Sequence, residues 1–289
     1  MNIEKENAYA KLNISLDVSK ARPDGYHDMI MVMQTISLYD EIGVEITTAG
    51  NLCAKSNLKY IPTDEKNLAV KAAKLYLEAA ENHTDGVVIH MNKVIPVGAG
   101  MAGGSSDAAA VLRAMNRYYH GALTREKLLA VAEKVGSDVP FCLIGGTALA
   151  EGRGEILTPL QPFPDCTFVV CKPEFSISTP ELFHALDRIR LRSHPDTDGI
   201  ISGLECGELS QICRRVYNVF EDVPDRRMRT VSEIKRKLLN AGAHAAVMTG
   251  TGSAVFGIFT DSSAAEKTCG ELKKEYGFCV TAKPVQTLI

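Results

Sequence analysis

The chain has 289 residues, 45% apolar and 23% charged, which fits one large folded domain or two ordinary ones and excludes the disordered, collagen-like and membrane-embedded classes. Thirty-two basic against 35 acidic side chains leave a net charge of −3, without the basic excess of a general nucleic-acid binder, so any anionic ligand must be held by local chemistry. The amino-terminal stretch has no apolar core and no small-residue cleavage site, and no apolar run approaches the roughly 18 residues of a membrane span, which predicts a cytoplasmic protein.

Residues 8 to 18 alternate, with Ala8, Ala10, Leu12, Ile14, Leu16 and Val18 on one side and Tyr9, Lys11, Asn13, Ser15 and Asp17 on the other, predicting a strand with one polar face. Strands follow at 29–38, 42–48 and 86–94, with a helix over 67–81 before the last. A second helix is expected to begin at Ser105 or Ser106, and a third to run from Thr124 as N-cap to a stop at Gly136. Short strands at 146–151 and 155–158 precede Pro159, Pro162 and Pro164, which put a domain boundary at 159–165 and divide the chain into 1–160 and 161–289. Beyond it the pattern predicts a strand at 167–171, helices at 180–190, 207–219 and 225–240, short strands around Gly250 and Gly252, a helix at 263–276 and a strand at 278–284. That order is a βαββαβ ferredoxin-like unit with extra helices in its first crossover. Residues 190–205 read as a long surface loop. The eight cysteines never form CxxC and mostly sit among apolar residues, so they are expected to be free buried thiols and not metal ligands.

The stretch Pro96-Val-Gly98-Ala-Gly100-Met-Ala-Gly103-Gly104-Ser105-Ser106-Asp107 lies between a predicted strand and an Ala-rich helix. Glycines let successive amides turn toward one ligand, and the helix N-terminus adds free N–H groups and a positive dipole end, which is what a phosphate requires. A Walker A loop is excluded, because no Gly-Lys pair occurs in the chain. Gly98-x-Gly100-x-x-Gly103 matches the dinucleotide fingerprint but fails its context. The expected second strand ending in an acid is replaced by the start of a helix at 123–127.

Together with the strand around Lys11 and the turn Met248-Thr-Gly250-Thr-Gly252-Ser253, this loop resembles the GHMP kinase superfamily. Ala10-Lys11-Leu12-Asn13, Arg22-Pro23-Asp24-Gly25-Tyr26-His27-Asp28, Gly136-Ser137-Asp138-Val139-Pro140-Phe141 and Ala150-Glu151-Gly152-Arg153-Gly154-Glu155 resemble its branch acting on 4-diphosphocytidyl-2-C-methyl-D-erythritol, over nearly the whole chain. The resemblance implies an α+β, two-domain architecture, ribosomal-protein-S5-like then ferredoxin-like, with catalysis between the domains. It also implies transfer of the ATP γ-phosphate to the 2-hydroxyl of the methylerythritol unit, in the non-mevalonate isoprenoid pathway. The loop departs from the usual leucine and three glycines in reading Met101-Ala102-Gly103-Gly104; Ala102 is expected at negative φ and is not counted as a ligand position.

By this resemblance Asp138 is the base and Lys11 holds it ionised, while Asn13, two residues along the same strand side, bonds the acceptor. Pro96, Gly98, Gly100, Gly103, Gly104, Ser105 and Ser106 are expected around the triphosphate, with Mg²⁺ bridging its oxygens and the Ser106 hydroxyl as the candidate protein contact. Lys93 and Asn67 resemble nucleotide-pocket positions. Tyr26 and Phe183 resemble the two faces of a cytosine clamp, His27 reads a base edge, and Gly250 and Gly252 close the substrate side. The ordinary alternatives are an N-cap role for Asp138, a solvated strand lysine for Lys11 and a core aromatic for Tyr26. The implied partners are the two small-molecule substrates, without nucleic acid or membrane, for a monomer or homodimer. Another kinase of the superfamily and a non-catalytic nucleotide sensor remain open; the presence of both Lys11 and Asp138 favours an enzyme.

Overall fold

The computed structural model describes residues 3–22, 25–48, 50–81, 85–191 and 193–289. The first sheet has the order β3 (Leu52–Ser56), β4 (Gly86–Asn92), β2 (His27–Thr47), β1 (Ile3–Ala21) and β8 (Tyr217–Asn218), with β5 (Thr147–Glu151) paired to β2 and β6 (Ile156–Pro159) to β5. Between these strands run α1 (Leu68–Ala79), α2 (Gly103–Tyr118), α3 (Arg125–Val135) and α4 (Val139–Ile144). The second sheet has the order β11 (Phe278–Ala282), β7 (Thr167–Lys172), β10 (Val255–Phe259) and β9 (Ala245–Met248). All its neighbours are antiparallel, which is the ferredoxin-like arrangement read from the sequence. Its crossovers are α5 (Thr179–Leu186), α6 (Thr197–Glu205), α7 (Leu209–Cys213), α8 (Met228–Asn240) and α9 (Ser262–Tyr276).

Two apolar cores follow from strand alternation. In the second sheet Val169, Cys171, Val255 and Phe259 belong to one core and Phe168, Val170, Phe256 and Ile258 to the other. The latter set packs with Ala10, Leu12, Ile14 and Ile36 of the first sheet, so the two sheets share a core. Strand β1 supplies both cores, because register shifts against β2 between Tyr9 and Lys11 and between Asn13 and Ser15 re-aim its side chains. Ala8, Leu16 and Val18 consequently join the core beneath α1 and α2, where the small residues Ala72, Ala73, Ala108 and Ala109 let the helices approach closely. The expected polar face of this strand is corrected: Lys11, Asn13 and Ser15 are buried as well.

Other expectations change. The strands placed at 29–38 and 42–48 are one continuous β2, and β3 was not anticipated. The loop expected at 190–205 contains α6, whose Ile200 and Leu204, one helical turn apart, enter the inter-sheet core. Asp196 caps it by accepting from the Gly199 amide, while Gly199 and Gly203 weaken the local helical signal. The helix expected at 207–219 stops at Cys213, and the Asn218 side chain instead accepts from the Phe220 amide, diverting the backbone into a turn. Past β11 the chain returns to the first sheet: Val285 donates to the Thr35 carbonyl, the Ser37 amide donates to the Lys283 carbonyl, and Leu288 donates to the Ile144 carbonyl.

Candidate active site

A cavity of about 800 Å³ is lined by residues of both sheets and their connections. At one end of it, β4 leaves the ladder after the pair Asn92–Glu41, and the Asp40 carboxylate takes over, accepting from the amides of Val94 and Ile95. The following loop carries Gly98 at φ +64° and Gly100 at φ +75°, left-handed values that glycine adopts without strain. It rests against the β9–β10 turn: Thr249 Oγ1 donates to the Gly100 carbonyl, and the Ala254 amide donates to the Ala99 carbonyl, each at 3.2 Å. On the other side the Lys11 amide donates to the Met101 carbonyl.

Helix α2 starts at Gly103, two residues earlier than expected, and Ala102 precedes it at φ +56°, ψ +30°. The expectation of a negative φ at Ala102 is therefore overturned, and a non-glycine residue holds the left-handed position at the helix entrance. Gly103 itself lies outside the left-handed region. It is needed for space, since a Cβ there would sit 3.1 Å from Ile95 Cγ2. The first-turn amides of Gly103, Gly104 and Ser105 have no preceding turn to bond, and these residues line the cavity with Pro96, Gly98 and Gly100. Ser106 does not. Its hydroxyl donates to the Tyr9 carbonyl at 2.5 Å and the residue is buried, so its expected contact with the phosphates and metal is corrected. Ser105 is the loop hydroxyl on the cavity wall.

Lys93 and Asn67 line the same end but are committed within the protein. Lys93 Nζ donates to Asp40, to Asp107 and, at 3.4 Å, to the Gly103 carbonyl. Asn67 caps α1 by accepting from the Ala69 amide at 3.0 Å and donates to the Pro62 carbonyl at 2.8 Å. Burial and the neighbouring Asp40 push the Asp107 carboxyl above its ordinary range, against the opposing pull of Lys93.

At the centre, Lys11 Nζ lies 3.9 Å from Asp138 Oδ2, with side-chain exposures of 6% and 34%. The ammonium is thus enclosed while the carboxylate opens to the cavity. Asp138 occupies the N-cap position of α4 yet makes no capping hydrogen bond, which removes the N-cap explanation, as burial of Lys11 removes the solvated-lysine one. Asn13 Oδ1 accepts from Lys11 Nζ at 2.5 Å, and the Asn13 amide donates to Thr249 Oγ1 at 3.0 Å. The arrangement can present a carboxylate to a hydroxyl group, with a fixed cation beside it.

At the far end Tyr26 is 54% exposed, with the Arg153 guanidinium 5.1 Å from its ring centroid. Pro23 and Asp24 of the expected turn lie outside the described residues. His27 stacks on Phe183 with centroids 4.8 Å apart and bonds Asp187 at 2.7 Å, while Phe220 meets Phe183 edge-on at 4.9 Å. Tyr26 and Phe183, expected as the two faces of a cytosine clamp, line one cavity, and His27 stacks on Phe183 within it. Gly250 and Gly252 line the cavity from the β9–β10 turn, and Gly250 lies so close to Gly100 that a Cβ would come within 2.9 Å of the latter's carbonyl oxygen. Sequence reasoning missed Asp40, Thr249 and Asn218, whose side-chain amide holds the carbonyls of Met248 and Gly250. It quoted Asp107 and Arg153 without giving them roles. Asp40 fell in the gap between the strands expected at 29–38 and 42–48, so no local pattern singled it out.

Comparison with known proteins places this geometry. Residues 67–146 match the GHMP kinases N terminal domain and residues 201–277 the GHMP kinases C terminal domain. The chain is 45% identical over 269 residues to a 4-diphosphocytidyl-2-C-methyl-D-erythritol kinase of Clostridium botulinum (strain Alaska E43 / Type E3), covering 93% of this chain and 95% of that protein. It is 43% identical over 273 residues to the Lachnoclostridium phytofermentans protein of the same name, covering 94% of each. A crystal structure of 4-(cytidine 5'-diphospho)-2C-methyl-D-erythritol kinase superposes with a TM-score of 0.81 at 33% identity, over 97% of this chain and 98% of that one. Homoserine kinase from Cytophaga hutchinsonii shares the fold at 19% identity, with a TM-score of 0.79 over 99% and 96% of the two chains. With its glycine-rich loop, its Lys11–Asp138 pair and these relatives, the chain belongs to the GHMP kinases and, among them, to the 4-diphosphocytidyl-2-C-methyl-D-erythritol kinase family.

Proposed function

We propose that this chain transfers the γ-phosphoryl group of ATP to the 2-hydroxyl of 4-diphosphocytidyl-2-C-methyl-D-erythritol, in the non-mevalonate route to isoprenoid precursors. The observation that carries this reading is a single cavity holding three things: the open amides of Gly103, Gly104 and Ser105, the Lys11–Asp138 pair, and the aromatic end with Tyr26, His27 and Phe183. ATP fits the first of these, because the loop offers amides, a helix N-terminus and no side chain over Gly103 or Gly104. The cleft is then the junction of an ATP-binding unit, residues 1–160, with a second unit, residues 161–289. The eight free cysteines support a reducing, cytoplasmic setting.

In the reaction Asp138 accepts the proton of the acceptor hydroxyl as its oxygen bonds to the γ-phosphorus. The bond from that phosphorus to the β–γ bridging oxygen breaks, and ADP departs. Lys11, 3.9 Å from Asp138, supplies positive charge beside the developing alkoxide. Bound Mg²⁺ supplies charge neutralisation at the phosphate oxygens; the residue suited to hold it is Ser105, since the Ser106 hydroxyl is spent on Tyr9. His27, Phe183 and Tyr26 bind the cytidine end.

ADP release measured with and without the cytidine-diphospho acceptor tests this, with ³¹P NMR identifying the product. ADP release that depends on the acceptor and is abolished by chelating Mg²⁺, with far-UV circular dichroism unchanged, is expected. Turnover with homoserine, mevalonate or galactose and not with this acceptor refutes it.

A further inference from the structure

Asp40, Lys93 and Asp107 come from β2, from the chain just beyond β4 and from the second turn of α2, and they meet in one buried cluster. The three N–H bonds of Lys93 go to Asp40 Oδ2, Asp107 Oδ2 and the Gly103 carbonyl. The Lys93 backbone is held too, its amide donating to Asn57 Oδ1 at 2.8 Å and its carbonyl accepting from Asn57 Nδ2 at 3.2 Å. Asp40 meanwhile fixes the amides of Val94 and Ile95. Every one of these contacts lies at one of the two ends of the phosphate loop: residues 93–95 where it leaves the sheet, and residues 103–107 where it enters α2. Between those ends sits Ala102, a residue with a Cβ, held at φ +56°. An L-residue is strained in that conformation and persists there only where its surroundings over-determine it.

We propose that Asp40, Lys93 and Asp107 form a clip that closes the base of the phosphate loop and holds Ala102 in its left-handed conformation, so that these three are positioning residues for the nucleotide. Lys93 then acts through the loop and not as a nucleotide ligand. The proposal rests on the reading of this loop as the ATP site. Loss of the clip lets Ala102 relax toward negative φ, rotating the Gly103 and Gly104 amides away from the cavity. Only the fraction of molecules with the loop correctly formed then binds nucleotide, and the apparent affinity falls by that fraction.

The test uses the full chain with Asp107→Asn, nearly isosteric and still able to accept from Lys93 but uncharged. Titration with Mg·ADP by calorimetry should give a dissociation constant raised about tenfold or more, with the KM for ATP rising in parallel and that of the acceptor little changed. Adding Ala102→Gly, which removes the torsional penalty, should restore at least about threefold of the loss; Ala102→Gly alone is measured alongside, so that the rescue is counted as coupling. Asp40→Asn provides the same readings if Asp107→Asn does not fold. A variant with a lowered melting temperature and parental Mg·ADP affinity overturns the proposal, as does an equal rise in both KM values or an absence of rescue. Mg·ADP binding needs no acceptor, so failure to phosphorylate the proposed acceptor leaves this test standing. A parent chain that binds no Mg·ADP would instead refute the assignment of the loop.

Discussion

Replacing Gly100 with alanine tests whether the glycine-rich loop and the β9–β10 turn work as one unit. The new Cβ would lie 2.1 Å from the Thr249 carbonyl oxygen at a residue whose φ is +75°. Carbon and oxygen settle no closer than about 3.3 Å, so loop and turn must part by roughly 1 Å. The torsion costs about 1–2 kcal/mol and the forced separation about 1–3 kcal/mol, together about 2–5 kcal/mol. At about 2 °C per kcal/mol for a chain of this size, the melting temperature should fall by roughly 4–10 °C. A displacement of that size at the phosphates can cost up to about 10²-fold in turnover. Calorimetry and steady-state kinetics with each substrate varied in turn would measure both effects. Gly277→Ala is the control: its φ is +76°, but nothing lies within 4 Å of the added Cβ, so it should show only the torsional loss and parental kinetics. Parental stability and ATP KM in Gly100→Ala would refute the argument that these two backbones touch.

Asp138→Asn should lower kcat by about 10²- to 10⁴-fold with both KM values near parental, the scale of a lost general base; unchanged kcat removes Asp138 from the reaction. Phe183→Ala deletes the ring on which His27 stacks and should weaken cytidine-substrate binding by roughly 1–3 kcal/mol, with Tyr26→Ala falling in the same range. A shift in ATP KM instead would put these rings at the wrong end of the cavity. Burial pushes the Cys166 thiol up to about 12 and Cys213 up to about 11 and raises Cys142, while a hydrogen bond with Cys171 and then burial raise Cys279. A raised pKa means less thiolate at any given pH, so at pH 8 a disulfide reagent should modify exposed Cys206 first and leave these four unmodified until guanidinium is added. Equal, rapid reaction of all eight thiols in the native protein would contradict the buried positions.

Features written in local patterns were open to the sequence: the alternation of β1, the glycine spacing of the loop, Thr124 and Gly136 at the ends of α3. Two kinds of feature were not. The first is a partner supplied across the fold, as when Asp40 meets Lys93, Asn218 holds the Gly250 carbonyl or His27 covers the face of Phe183; no spacing rule links such pairs. The second is a local choice decided by tertiary context. Ala102 takes a torsion that alanine avoids, Ser106 turns its hydroxyl to Tyr9 and not to the cavity, and the glycines of α6 conceal a helix held by Ile200 and Leu204. The Lys11–Asp138 pair lies between these cases. Each residue was recognisable within its own motif, while their distance and unequal exposure belong to the folded chain.

The return of residues 283–288 to the first sheet has a consequence for the order in which the protein can fold as it is synthesised. Thr35, Ser37 and Ile144 obtain their backbone partners from Val285, Lys283 and Leu288, and β1 obtains its outer neighbour from Tyr217 and Asn218. When the ribosome has completed the proline-rich stretch near residue 160, the nascent amino-terminal layer still lacks these bonds and the apolar cover of Phe168, Val170 and Phe256 over Leu12 and Ile14. Folding in stages along the chain would leave that surface open through almost half of translation, a period when chaperones and neighbouring nascent chains compete for it.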